Sequence, residues 1–144
     1  RIKWLRNSDI NFHYRDSGIS DNLIVTRAWF RGVQNVDYSI HKKVHEITRK
    51  RDGSQPVHKK SCGSTFKNPD GAKAWELITK AGCCGMRLGG AIVSDKHCNF
   101  IINDGTATAD DIENLALKVA EKVHEISGVT LEWEVVRLGK RAVS

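Results

Sequence analysis

With 144 residues, the chain has material for one hydrophobic core, or for one core and a short adjoining segment. Its 40% apolar and 28% charged residues describe an ordinary globular protein, and no apolar run approaches the roughly 20 residues that cross a bilayer, so a membrane partner is not expected. The net charge of +6 favours an anionic partner, yet aromatic residues do not interleave with the densest basic run, Lys42 to Lys60, so nucleic acid is not expected either.

The chain opens on Arg1-Ile2-Lys3-Trp4-Leu5, without an initiator methionine and without a secretory pattern. Residue 1 is therefore read as an internal point of a longer protein. Leu23 to Phe30 is β-branched and aromatic and predicts a strand. Asp37 to Arg51 carries Ile40, Val44 and Ile47 at helical spacing, the stripe of an amphipathic helix. The basic residues within it read first as a solvated helix face, and second as a surface for nucleotide phosphates. Gly53-Ser54-Gln55-Pro56 breaks the helix, and residues 53 to 62 read as a linker.

Asp70 is the expected N-cap of a second helix from Gly71 to Ala81, with Ala74, Trp75, Leu77, Ile78 and Ala81 turned inward and Gly82 closing it. Short strands are expected at Ala91–Ser94 and Asn99–Asn103. Thr108 should cap a third helix, with Asp110 and Asp111 in its first turn, a stripe from Ile112 to Ile126, and Gly128 at its end. Val129 to Leu138 alternates like a strand. This order gives an α+β fold: a small mixed or antiparallel sheet with helices packed on it. Residues 1–60 form a leading segment and residues 61–144 the domain proper.

Cys62, Cys83, Cys84 and Cys98 lack the spacing of a zinc site, and a chain with this many core residues does not need disulfides. They are read as buried, reduced thiols of a cytoplasmic protein, and no metal is assigned.

Three segments carry chemistry. Gly63-Ser64-Thr65-Phe66-Lys67-Asn68-Pro69 places a hydroxyl, a cation and a carboxamide beside a glycine. Tyr14-Arg15-Asp16-Ser17 supplies a guanidinium that suits a planar carboxylate; a structural turn with an outward ion pair is the plainer reading. Leu131-Glu132-Trp133-Glu134-Val135 puts two carboxylates on one strand face, and geometry alone does not choose between Glu132 and Glu134.

In this order, and with Arg51, Gln55-Pro56, Ala81-Gly82, Ser94 to Asn103 and Ala107 to Asp111, these segments resemble the C-terminal part of UDP-N-acetylenolpyruvoylglucosamine reductases, the MurB family. The resemblance covers nearly the whole chain. It implies a reductase of peptidoglycan precursor synthesis that takes hydride from NADPH onto FAD and passes it to the enolpyruvyl group of a UDP-sugar, giving UDP-N-acetylmuramate. It further implies that Ser64 is the proton donor, that Arg15 and Glu134 stabilise the enolate, and that Lys67 and Asn68 hold the nucleotide-sugar end. Burial of Glu134 would favour its neutral form, the direction that role needs. FAD sits in that family mainly on a region upstream of the residues matched here, so residues 1–60 would be a stub of the flavin-binding half. Relatives often carry an arginine two positions after the matching glutamate; here Val136 stands there and Arg137 follows, on the opposite strand face. The alternative from another class is a non-catalytic nucleotide-sugar or anion-binding module without its flavin half.

Overall fold

A computed structural model of the chain describes residues 1–34 and 39–139, which fall into two compact units, Arg1–Asp37 and Tyr38–Ser144. In the first unit the Arg6 amide donates to the Asp9 carboxylate at 2.8 Å, closing a short 3-10 turn at Asn7–Asp9. His13 and Asp16 pair backbone to backbone across a tight turn, with Tyr14 and Arg15 at its tip. The strand expected at Leu23–Phe30 does not form. Ile24, Val25 and Phe30 are 88%, 67% and 92% exposed. A β-branched run becomes a strand only when a neighbouring strand pairs with it, and among the described residues its backbone bond is the Leu23 amide to the Ser20 carbonyl, a local turn. Trp29 instead meets Trp4, ring centroids 4.8 Å apart.

The second unit begins with α1, Ser39–Ser54. The helical periodicity is realised from Ser39 onward, while Asp37 lies outside the described residues. Its stripe is not buried: Ile40, Val44 and Ile47 are about half exposed. The supposed linker then yields β1, Lys60–Ser64, which was missed because Lys60-Ser61-Cys62-Gly63-Ser64 has no β-branched residue and a glycine near its end.

The helix expected from Gly71 starts later, as α2, Ala74–Lys80. Gly71 adopts φ +71° and Lys73 is extended, so the chain is not helical before Ala74. Asp70 does not cap it; the Asn68 carboxamide oxygen accepts the Ala74 amide at 3.0 Å. Ala74, Ile78 and Ala81 are buried as expected, but Trp75 points sideways and is 42% exposed. A two-stranded turn follows, β2 (Arg87–Leu88) and β3 (Ala91–Val93), then β4 (Phe100–Asn103).

Helix α3, Ala109–Ser127, matches its sequence signals closely. The Thr108 hydroxyl accepts the Asp111 amide at 3.1 Å, and the Asp111 carboxylate accepts the Thr108 amide at 2.9 Å. These bonds hold the Asp111 carboxyl below its ordinary pKa. Gly128 closes the helix in the left-handed conformation.

All strand pairs are antiparallel, in the order β1-β4-β3-β2. Ala91, Val93 and Ile101 turn to one face, where they pack with Ile78 of α2 and Leu115, Ala116, Val119 and Val123 of α3. The last expected strand, Val129–Leu138, is reduced to one antiparallel bridge, Trp133 with Phe66. Leu131 is buried below it, and the Phe66 and Trp133 rings lie 5.5 Å apart. The α+β class is therefore as the sequence predicts, with a four-stranded antiparallel sheet and three helices.

The cysteines differ from expectation. Cys84, just after α2, and Cys98, just before β4, come to a Cα–Cα distance of 5.4 Å and form a disulfide. Sequence spacing carries no trace of this, because the chain between them turns back through the β2–β3 hairpin. Cys62 is an exposed thiol. Only Cys83 fits the buried, reduced description; burial raises its pKa.

Candidate active site

Four of the five predicted residues lie in the second unit, on two neighbouring segments. Ser64 ends β1, paired with Phe100 of β4, and the register slips between Ser61 and Ser64. Gly63 makes that bulge possible at φ +86°, a conformation that side chains avoid. The slip aims Ser64 differently from the rest of the strand and leaves it half-buried.

The partner segment is Leu131–Val135. The Lys67 amide donates to the Glu132 carbonyl at 2.8 Å, and the Glu134 amide to the Thr65 carbonyl at 2.9 Å. These two bonds place the Ser64 loop and the two acidic residues side by side. The two carboxylates, which strand alternation alone did not distinguish, have different surroundings. Glu132 is exposed and meets Lys67 Nζ at 3.4 Å, whereas Glu134 is half-buried. The exposed pair is worth no more than about 1 kcal/mol.

Asn68 has its carboxamide oxygen fixed on the Ala74 amide. With the oxygen used as an acceptor, the donor of this carboxamide is its nitrogen. Lys67, its neighbour, is 38% exposed at the side chain.

Arg15 belongs to the first unit. It is exposed, adopts φ +59°, and sets its guanidinium 5.4 Å from the Tyr14 ring centroid. A left-handed non-glycine residue is uncommon and persists only where the surrounding turn fixes it. Here the His13–Asp16 pairing does so, and the Asp16 carboxylate accepts the Gly18 amide at 2.9 Å. The expected turn is present.

Arg137, whose strand register was out of step with an active-site role, has another one. Its guanidinium lies 4.5 Å over the Trp133 ring and 3.8 Å from the Glu113 carboxylate, tying the tail to α3.

Sequence reasoning missed Asn99. It is 3% exposed, and both ends of its carboxamide are used on the backbone of Phe66. The signal was available: one carboxamide inside the apolar run Cys98 to Ile102 needs a partner wherever it is buried.

On the face of the sheet away from the helices is a cavity of about 560 Å³, with Ile92, Ile102, His58, Lys60, Arg87 and Asp104 in its lining. None of the five predicted residues lines it. Its walls contain no Trp, Tyr or Phe to stack on a flavin ring, and they do not fit that cofactor.

These features define a small α+β domain whose polar loop, Ser64 to Asn68, is pinned between a sheet edge and an acidic tail segment. Residues 55–138 match the family described as UDP-N-acetylenolpyruvoylglucosamine reductase, C-terminal domain. The chain belongs to that family. It is 50% identical over 137 residues to the UDP-N-acetylenolpyruvoylglucosamine reductase of Parvibaculum lavamentivorans, covering 95% of this chain and 44% of that protein. To its namesake in a Bradyrhizobium species it is 48% identical over 138 residues, with 96% and 45% covered. The crystal structure of the Thermus caldophilus UDP-N-acetylenolpyruvylglucosamine reductase (MurB) superposes with a TM-score of 0.71 at 36% identity, over 88% of this chain and 46% of that one. The chain thus spans a little under half the length of the curated relatives it matches.

Proposed function

We propose that this chain provides the substrate-binding domain and the proton donor for reduction of UDP-N-acetylenolpyruvoylglucosamine to UDP-N-acetylmuramate. Residues 61–144 would form that domain, and residues 1–60 the end of a flavin-binding half, working in the cytoplasm on a UDP-sugar. FAD, reduced by NADPH, would be held mainly by residues upstream of those present and would supply the hydride for the enolpyruvyl group.

The residues present do the rest. Hydride arrival leaves an electron pair on the carbon bearing the carboxylate, so charge builds into an enolate. Arg15 and Glu134 meet that charge, the first as a cation on the carboxylate, the second through a hydrogen bond. Ser64 gives its proton to the same carbon, completing the lactyl ether, and regains one from its surroundings. Lys67 and Asn68 hold the diphosphate end.

The observation that carries this reading is the pairing of the Ser64 loop with the Glu134 segment through Thr65, which puts a hydroxyl and a half-buried carboxyl on adjacent chain. The test is Ser64→Ala in the full-length reductase. NADPH should still reduce the flavin at an undiminished rate, while sugar-nucleotide turnover falls by at least about 100-fold, the lower range for a lost proton donor. Turnover preserved within a few-fold would remove Ser64 from that role.

A further inference from the structure

The ladder between β1 and β4 ends at the Ser64–Phe100 pair. Beyond it, two contacts of a different kind continue the sheet. The Thr65 amide donates to the Asn99 carbonyl at 2.7 Å. The Asn99 side chain then stands in for one more peptide unit: Phe66 N donates to Asn99 Oδ1 at 3.0 Å, and Asn99 Nδ2 donates to the Phe66 carbonyl at 2.8 Å. A carboxamide has the donor and acceptor of a backbone amide in the same spacing, so it can close a rung where no strand residue is available.

The neighbours of this rung are all fixed. Thr65, Phe66 and Asn99 are 4%, 1% and 3% exposed. Asn99 is itself held from the other side, because Cys98 is tied to Cys84 and the Ser94 hydroxyl accepts the amides of Lys96 and His97. On the far side of Thr65, its carbonyl accepts the Glu134 amide. One dipeptide, Thr65-Phe66, therefore transmits the position of Asn99 to both Ser64 and Glu134. Lys67 and Asn68 have separate anchors, the Glu132 carbonyl and the Ala74 amide.

We propose that Asn99 is a positioning residue for the proton transfer: its carboxamide sets where Ser64 stands, without touching substrate. The inference rests on the donor role proposed for Ser64. The bulge at Gly63 interrupts the ladder upstream of that hydroxyl, and downstream the Thr65 amide bond to the Asn99 carbonyl is followed by the carboxamide rung on Phe66.

The test uses Asn99→Asp in the full-length reductase, alone and combined with Ser64→Ala. Aspartate keeps the acceptor for Phe66 N–H and loses the donor to its carbonyl. The single variant should lower kcat for the sugar nucleotide roughly 10- to 100-fold, the scale of a misplacement near 1 Å. KM should move less than kcat, since Lys67 and Asn68 keep their own anchors, and flavin reduction by NADPH should be unchanged. If Asn99 acts through Ser64, the double variant should be no slower than Ser64→Ala alone. Multiplying losses, or an Asn99→Asp enzyme with unaltered kcat beside an inactive Ser64→Ala, would overturn the positioning role and leave the donor reading intact. Active Ser64→Ala would remove both. Should the Asn99 variants not fold, amide exchange in the wild-type chain decides: protected Phe66 N–H and Asn99 carboxamide protons support the rung, and loop-like exchange refutes it.

Discussion

Glu132 and Glu134 lie two positions apart in one short segment, yet their surroundings differ. Glu132 is exposed and shares its charge with Lys67 across 3.4 Å, where water screens the pair. Glu134 is half-buried beside the Thr65 carbonyl. Glu132→Gln should leave turnover unchanged and shift stability by less than about 1 kcal/mol. Glu134→Gln should lower kcat at least about tenfold with little loss of stability, read by steady-state kinetics and thermal melting side by side. Equal effects from the two substitutions would contradict the assignment. A second residue-scale effect concerns His97, which sits 4.8 Å from the Phe100 ring with a buried Nδ1 that lacks a hydrogen-bond partner. Burial lowers its pKa below the ordinary 6.5. Near and below that value the unfolded chain binds a proton that the folded chain resists, so stability should fall as pH drops below about 6.5 and level off beneath the lowered value. The depressed Asp104 and Asp111 carboxyls act in a more acidic window, below their ordinary 3.8. Melting temperatures at pH 7.5 and 5.5 should therefore differ more for wild type than for His97→Gln.

At the scale of elements, local signals succeeded where the chain closes its own hydrogen bonds. Thr108, Asp111 and Gly128 define α3 without help from elsewhere, and the structure realises each of them. Strands fared differently, since a strand is a relation between two segments. Leu23–Phe30 has the better β composition yet pairs with nothing described, while β1, poor in β formers, is held by β4. Helix α2 shows the same dependence, capped by Asn68 across the Gly71 turn rather than by the nearer Asp70. The cysteines follow this logic too. A thiol titration of the oxidised native chain should detect Cys62 rapidly and Cys83 only on unfolding, with two further thiols appearing after reduction. Four thiols without any reductant would mean that Cys84 and Cys98 are unpaired in solution.

For the whole molecule, the question is what the chain does as isolated. A domain with Lys67 and Asn68 in place should bind a nucleotide sugar without turning it over. Titration calorimetry of the 144-residue chain with UDP-N-acetylglucosamine should show one saturable site. Asn68→Asp is the informative variant: it keeps the acceptor that caps α2 and places a negative charge where the phosphate would lie. Binding should weaken by about tenfold or more with the fold retained. Unchanged binding would take Asn68 out of the phosphate site, and no binding by the wild type would place substrate recognition in the flavin-bearing whole.

The sequence by itself determined the α+β class, the third helix with both caps, the two short strands now seen at Ala91–Val93 and Phe100–Asn103, and the family to which the Ser64–Pro69 and Leu131–Val135 segments belong. Each of these is written in residues close together in the chain, or in a fixed order of short motifs. Only the tertiary structure decided that Glu132 and Glu134 are unequal, that Cys84 meets Cys98, that Asn68 caps α2, and that Asn99 grips Phe66 from 33 residues away. Those facts depend on contacts between segments whose mutual register is set by packing, and no local pattern records a register.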